Sequence, residues 1–183
     1  MNHNITLEYQ NVRVRPLYYE DIESLRMWRN NSENSRFLTK LPYITQKMQE
    51  EWYSEYLNDK NIYVWAIDSL FEEYKLTGSV ALYSFCDGKC EQGKIMIASE
   101  YANRGIGTVS LILTAHIGFS KMNISLINAF VNCENTASLK MFFKVGYSSL
   151  DVQINAFGEQ EHHLSISKSE FNKANEFALQ STI

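Results

Sequence analysis

The stretch that constrains this chain most is VSLILTAHIGF, residues 109–119, entered through Gly105-Ile106-Gly107. As a helix it has almost no polar face, so protein must cover it on nearly every side. It is too short to span a bilayer and reads as a buried core helix. A helix that crosses between two strands of one sheet meets that demand, because it lies on the sheet and beneath other helices.

The flanking sequence supplies such a sheet. Val12 and Val14 alternate with Arg13 and Arg15 as a short half-exposed strand that stops at Pro16. EDIESLRMWRN, from Glu20, places Ile22, Leu25 and Trp28 on one helical face, with acids in the first turn. Thr45 is a helix cap for a segment carrying Met48, Trp52 and Tyr56 at four-residue spacing.

The period then changes to extended. NIYVWAID, TGSVALYSF and QGKIMIAS read as three successive strands, the last two joined by a turn at CDGK. After the apolar helix come the strand ISLINAFVN, a helix from Asn135 to Val145 closed at Gly146, and the strands SLDVQINAF and HHLSIS. The tail KSEFNKANEFA adds a short helix. The order predicts a mixed α/β (α+β-like) fold, with a mostly antiparallel sheet of about seven strands and about four helices.

No repeat or linker divides the 183 residues, so residues 1–183 are read as one domain. A net charge of −4 gives no footprint for a polyanion, which argues against nucleic-acid and membrane partners. The N-terminus has no basic segment followed by an apolar one, and three cysteines make no framework spacing. Both point to reduced thiols in the cytoplasm.

Gly105 and Gly107 permit unusual backbone angles and close approach, and the helix start behind them is a ready anion pocket, most often for phosphate. A dinucleotide fold would want a third glycine at Ser110 and an acid about 20 residues on, and neither is present. A P-loop needs Gly-Lys-Ser/Thr, which is absent. A turn that uses glycine only for packing stays open on the motif alone.

SEYANRGIGT is followed, one strand later, by CENTASLKMFFKVGY, in which Asn135, Ser138, Lys144, Gly146 and Tyr147 form an Asn-x-x-Ser helix closed by Lys-x-Gly-aromatic. With VRVRPLYYEDIESLRMWRN, these segments resemble the GCN5-related N-acetyltransferase (GNAT) superfamily over nearly the whole chain. RMWRN further resembles the branch of ribosomal-protein N-terminal acetyltransferases and amino-sugar acetyltransferases. The resemblance implies acetyl-CoA as cosubstrate, no metal, and direct attack by a primary amine on the thioester. The amine would belong to an amino sugar, a small metabolite or a protein N-terminus.

It also implies roles. The pyrophosphate loop would be Ala102, Asn103, Arg104, Gly105, Ile106, Gly107 and Thr108, with Ala102 standing where the family usually has Gln or Arg. Backbone of Ile95, Met96, Ile97 and Ala98 would stabilise the oxyanion, and Asn135, Ser138 and Phe142 would lie along the cofactor. Glu91 is preferred over Glu100 as base, because Glu100 beside the loop would repel phosphate. Phe142 occupies the family's thiolate-protonating tyrosine position and cannot donate, so Ser138, Tyr101 or Tyr83 would substitute.

Trp28, Arg29 and Tyr83 are expected at the acceptor, with weaker assignments for Tyr43, Trp52, Tyr53 and Tyr56. Phe142 and Ala102 also leave an alternative, a CoA-binding sensor or interaction module without catalysis. Cys86 and Cys90 flank a turn, and His162 and His163 point to opposite faces of a strand, so neither pair reads as a metal site. An exposed last strand would permit a homodimer.

Overall fold

The computed structural model describes residues 2–38 and 41–176. Among these described residues eight strands form one sheet: β1 (Leu7–Tyr9), β2 (Val12–Pro16), β3 (Ile62–Ser69), β4 (Lys75–Cys86), β5 (Lys89–Ile97), β6 (Leu126–Asn132), β7 (Ser148–Ile154) and β8 (Gln160–Ser167). Their order is β1-β2-β3-β4-β5-β6-β8-β7, and only the β5–β6 pair is parallel. The helices are α1 (Ile22–Asn30), α2 (Ser32–Ser35), α3 (Gln46–Tyr56), α4 (Ile106–Lys121), α5 (Thr136–Val145) and α6 (Lys168–Ala174). The expected mixed, mostly antiparallel architecture is therefore observed.

The strand beyond the expected seven is β1. It folds back on β2 through Gln10 and Asn11, whose φ angles of 46° and 62° match a two-residue hairpin turn with both centres left-handed. That turn ordinarily announces itself with glycine, and here it has none. The short tail helix is observed as α6, and the single turn α2 is a helix the sequence reading did not contain. The last residues of the tail segment, 177 and 178, lie outside the described residues.

Period-two alternation sorts the central strands onto two faces. Trp65, Ile67, Val80 and Leu82 point to one face, where α4 packs with Ile106, Leu111, Leu113 and Ile117 fully buried. Val64, Ala66 and Ala81 point to the other, beneath Ile22 and Leu25 of α1 and Tyr53 and Tyr56 of α3. Helix α4 crosses between the parallel strands β5 and β6, which accounts for its missing polar face. Two of its buried hydroxyls are satisfied within the helix: Ser110 donates to the Gly107 carbonyl at 2.9 Å and Thr114 to that of Ser110 at 2.8 Å.

Arg13 and Arg15 do more than alternate along a strand. Both donate to the buried carboxylate of Asp68, and Arg15 also forks onto Asp21 at 2.7 and 2.9 Å. The arrangement anchors β2 to β3 and to the start of α1, with every buried charge paired.

Candidate active site

Two irregularities in β5 create the site. Ala81 of β4 faces Gly93, whereas Ser79 faces Met96, so β5 spends three residues where β4 spends two. The extra residue makes a β-bulge, with Lys94 at φ 49°. On its other edge β5 pairs with β6 at Lys89, Cys90 and Glu91 only. Beyond Glu91 the strands part: β6 continues along β8, and β5 along β4. The Ala98 amide donates to the Thr77 carbonyl at 2.9 Å. Ladder alternation then turns the Ile97 amide to the opposite edge, where β6 no longer pairs. This takes Ala98 out of the backbone donors expected at residues 95–98, because its amide is already spent on β4.

The root of this opening is held by Gln92. Its Nε2 donates to the Leu111 carbonyl at 3.0 Å and to Thr114 Oγ1, and its Oε1 accepts from the Tyr147 hydroxyl at 2.6 Å. Burial pushes the Tyr147 phenol far above its ordinary value, so it remains a donor.

A 3-10 turn, Ser99–Tyr101, leads from β5 into the glycine-rich loop. Ala102 donates its amide to the Ser99 carbonyl at 3.1 Å, so the loop's available donors start after it. Asn103 and Gly105 are both left-handed, at φ 62° and 78°. Among the described residues no side chain caps α4, and its first intrahelical bond runs from the Val109 amide to the Gly105 carbonyl at 3.1 Å. The amides of the first turn therefore lack helical partners and converge at the positive end of the helix dipole.

The two glycines have different reasons. A Cβ on Gly105 would meet nothing within 4 Å, so glycine is needed there for its backbone angle. Gly107 is helical, and a Cβ there would run into the sulfur of Met141 on α5.

On the opposite face of the sheet a cavity of about 350 Å³ opens between α1, α3 and the bulge. Leu25, Met48, Trp52 and Met96 are among its apolar walls, and Gln49, Ser79, Arg29 and Lys94 are its polar members. Burial draws the Arg29 guanidinium below its ordinary value. The Lys94 ammonium lies 4.7 Å from the centre of the Tyr83 ring. Burial and then Glu91, toward which its hydroxyl donates, push the Tyr83 phenol up.

An acetyltransferase (GNAT) domain model matches residues 11–148, three quarters of the chain. The chain belongs to the GNAT acetyltransferase family. As a GNAT protein it is an acetyl-CoA-dependent N-acetyltransferase. It is similar to spermidine N(1)-acetyltransferase of Escherichia coli K12, 23% identical over 75% of this chain and 73% of the relative. It is also similar to mouse alpha/beta-tubulin-N-acetyltransferase 9, 24% identical over 93% and 75%. In fold it superposes on spermidine N-acetyltransferase of Vibrio cholerae, solved with CoA and spermine, at a TM-score of 0.80 and 18% identity, over 88% of this chain and 98% of that one. These relatives are named for spermidine and tubulin rather than for the ribosomal-protein or amino-sugar branch.

Within this GNAT domain the expected residues fall into three groups. Tyr83 and Glu91 are neighbours beside the bulge, and Arg29 and Trp52 line the cavity next to it. Ile97 and residues 103–108 form the cleft edge and the loop on the way to α4. A third group is held in packing. Phe142 is 1% exposed and meets Tyr147 edge-on at 4.9 Å. Tyr101 is buried, with the Arg104 guanidinium 5.2 Å from its ring, while Arg104 also donates to the Glu100 carbonyl at 3.1 Å. Asn135 caps α5 by accepting from the amide of buried Ser138 at 3.1 Å.

The weaker aromatic assignments divide as well. Tyr53 and Tyr56 lie on the sheet side of α3, buried, with hydroxyls on the carbonyls of Leu17 (3.3 Å) and Val64 (3.2 Å), so the cavity does not receive them. Tyr43 is exposed, its hydroxyl near Arg26, and Trp28 packs between the two cores. Cys86 is exposed and Cys90 buried; His162 meets Ser149, and His163 meets Asn128 and stacks on Phe130. The cavity residues absent from the sequence reading include Lys94, Gln49 and Ser79. Only Lys94 left a signal, as a charge between Gly93 and the apolar run Ile95–Ile97.

Proposed function

We propose that this protein transfers the acetyl group of acetyl-CoA to the primary amine of a small molecule bound in the cavity between α1, α3 and the β5 bulge. The observation that carries the reading is the parting of β5 from β6 after Glu91, directly before a helix start with no side-chain cap. Acetyl-CoA supplies the activated acetyl thioester. The amides of residues 103–108 are positioned to take the pyrophosphate, for which the uncapped turn and the open space at Gly105 are suited. The Ile97 amide, facing the open edge, is the donor for charge developing on the acyl oxygen.

Glu91 sits on the cavity side of β5 beside Tyr83 and is the group assigned to take the proton of the attacking amine, directly or through water. Tyr83, kept protonated by burial and by Glu91, is the acid nearest that point, which favours it over Tyr101 for protonating the departing thiolate. Phe142 then needs no catalytic role. The spermidine relatives make polyamines the first amines to assay.

We place the protein in the cytoplasm, in keeping with its free thiols; among the described residues no helix is long and apolar enough to cross a membrane. The last strand, β8, is paired on both edges, so the exposed edge that would carry a homodimer is β7, and sedimentation of the protein and of Val152→Lys tests it.

The test of the reaction is mass spectrometry of an amine panel incubated with the protein and isotopically labelled acetyl-CoA. Labelled acetyl-amine with equimolar thiol release is the expected result. Bound CoA with no acetylated product across the panel would overturn it.

A further inference from the structure

We propose that the amine accepted by this cavity carries an apolar body and one neutral hydrogen-bonding group, the body lying against Met48 and Trp52 and the neutral group meeting Gln49 and Ser79; this rests on the N-acetyltransferase reading above. Seven of the eleven described lining residues are apolar. Leu41, Met48 and Trp52 among them are 59%, 42% and 36% exposed, so this wall is open to a ligand rather than filled by protein. Trp52 stacks on Tyr56 with ring centres 5.5 Å apart, which holds it as a fixed side of the cavity.

The neutral polar side chains of the wall carry the second half of the inference. Gln49 of α3 and Ser79 of β4 are only 8% and 7% exposed, and among the described residues neither side chain makes a hydrogen bond within the protein. Both border the cavity, so a wholly apolar ligand would strip them of water and give nothing back, whereas a hydroxyl, carbonyl or amide group would satisfy them. The charged groups nearby are committed. The Lys94 ammonium lies 4.7 Å from the centre of the Tyr83 ring, Arg29 is engaged within the protein, and Glu91, beside the bulge with Tyr83, serves the amine end.

The lining therefore selects by what the amine carries behind its nitrogen. An apolar body exchanges water for Leu41, Met48 and Trp52, which strengthens binding on the order of fourfold per buried methylene. A polyamine would set a further ammonium among these apolar side chains, at the end remote from Glu91, and lose its hydration there. A hydroxyl or amide group in the same place finds Gln49 and Ser79 instead. The volume of about 350 Å³ suits a small molecule rather than a chain end embedded in a protein.

The test is calorimetric binding, at one pH, to the protein saturated with CoA. Hexylamine and phenethylamine serve as apolar amines, aminohexanol and tyramine as their hydroxylated counterparts, and diaminohexane and spermidine as polycations. The apolar amines are expected to bind about tenfold or more tightly than the polycations. At least one hydroxylated amine should match or exceed its parent, whereas a wall with no group to receive the hydroxyl would weaken it about tenfold. Gln49→Leu and Ser79→Ala should each lower the ratio of hydroxylated to parent affinity, and Trp52→Ala should weaken the apolar amines about tenfold. Thermal unfolding confirms that each variant folds, and Ser79→Ala, the smallest change, suffices for the ratio.

Spermidine or diaminohexane binding as tightly as the apolar amines, both hydroxylated amines binding more weakly than their parents, a ratio unchanged in both Gln49→Leu and Ser79→Ala, or apolar amines indifferent to Trp52→Ala would overturn the inference. Failure of CoA itself to bind, or no acetylated product from any of these amines, would instead overturn the proposed function.

Discussion

The Tyr147 hydroxyl donates to Gln92 Oε1 at 2.6 Å inside the core, one residue past Glu91, the last residue of β5 paired with β6. The helix-ending Gly146, at φ 108°, delivers Tyr147 to that position, so the end of α5 braces the point where the cleft begins. Tyr147→Phe leaves the Gln92 carbonyl oxygen buried without this donor. The expected cost is about 1–3 kcal/mol of stability, read as a lower urea midpoint with an unchanged slope.

Gly105→Ala tests the left-handed start of α4. Space is open around it, so the penalty comes from the backbone angle alone, about 1–2 kcal/mol. Weaker CoA affinity should accompany it in a titration. Gly107→Ala acts differently, by collision with Met141, and Met141→Ala should partly restore its melting temperature.

Glu91→Gln keeps the shape of β5 and removes the carboxylate proposed as the base. The turnover number should fall on the order of a hundredfold or more, while the dissociation constant for CoA stays the same. Pre-steady-state thiol release compared with CoA titration separates the two.

His3 links stability to pH. Its Nε2 must donate to the Val64 carbonyl at 3.0 Å while its Nδ1 accepts from the Ile5 amide at 3.3 Å, an arrangement open only to the neutral ring. Burial accordingly lowers its pKa. Below the ordinary value of about 6.5 the unfolded chain takes up the proton first, so stability falls as the pH drops through that value toward the depressed one. Denaturation midpoints should decline from pH 7 to pH 5.5, and more steeply than in His3→Gln. His116, lowered chiefly by burial and then by Lys121 and Lys168, adds to the same slope in both proteins.

The second half of the chain was more legible than the first, for physical reasons. Asn135, Gly146 and the apolar run of α4 each act through local backbone rules, and all three behave as the sequence implied. The β1 hairpin escaped because Gln10 and Asn11 take left-handed angles without glycine. Gly107 was legible as a glycine but not in its reason, since Met141 approaches it from another helix. The cavity was least legible. Arg29, Gln49, Ser79 and Lys94 come from four separate elements, and only the bulge and the sheet's two-sided packing bring them together. Tyr53 and Tyr56 misled for a related reason: the four-residue spacing grouped Tyr56 with Met48 and Trp52, whereas the face against the sheet is Gln49, Tyr53 and Tyr56, and Met48 and Trp52 line the cavity.

The most direct measurement of the central claim is a titration of isotopically labelled protein with coenzyme A, followed by amide nuclear magnetic resonance. The largest shifts should fall on Ile97 and residues 103–108, with Ala98 and Ala102, whose amides are already bonded, moving less. Saturable binding that leaves those amides unmoved, with shifts gathered on another surface, would contradict the account.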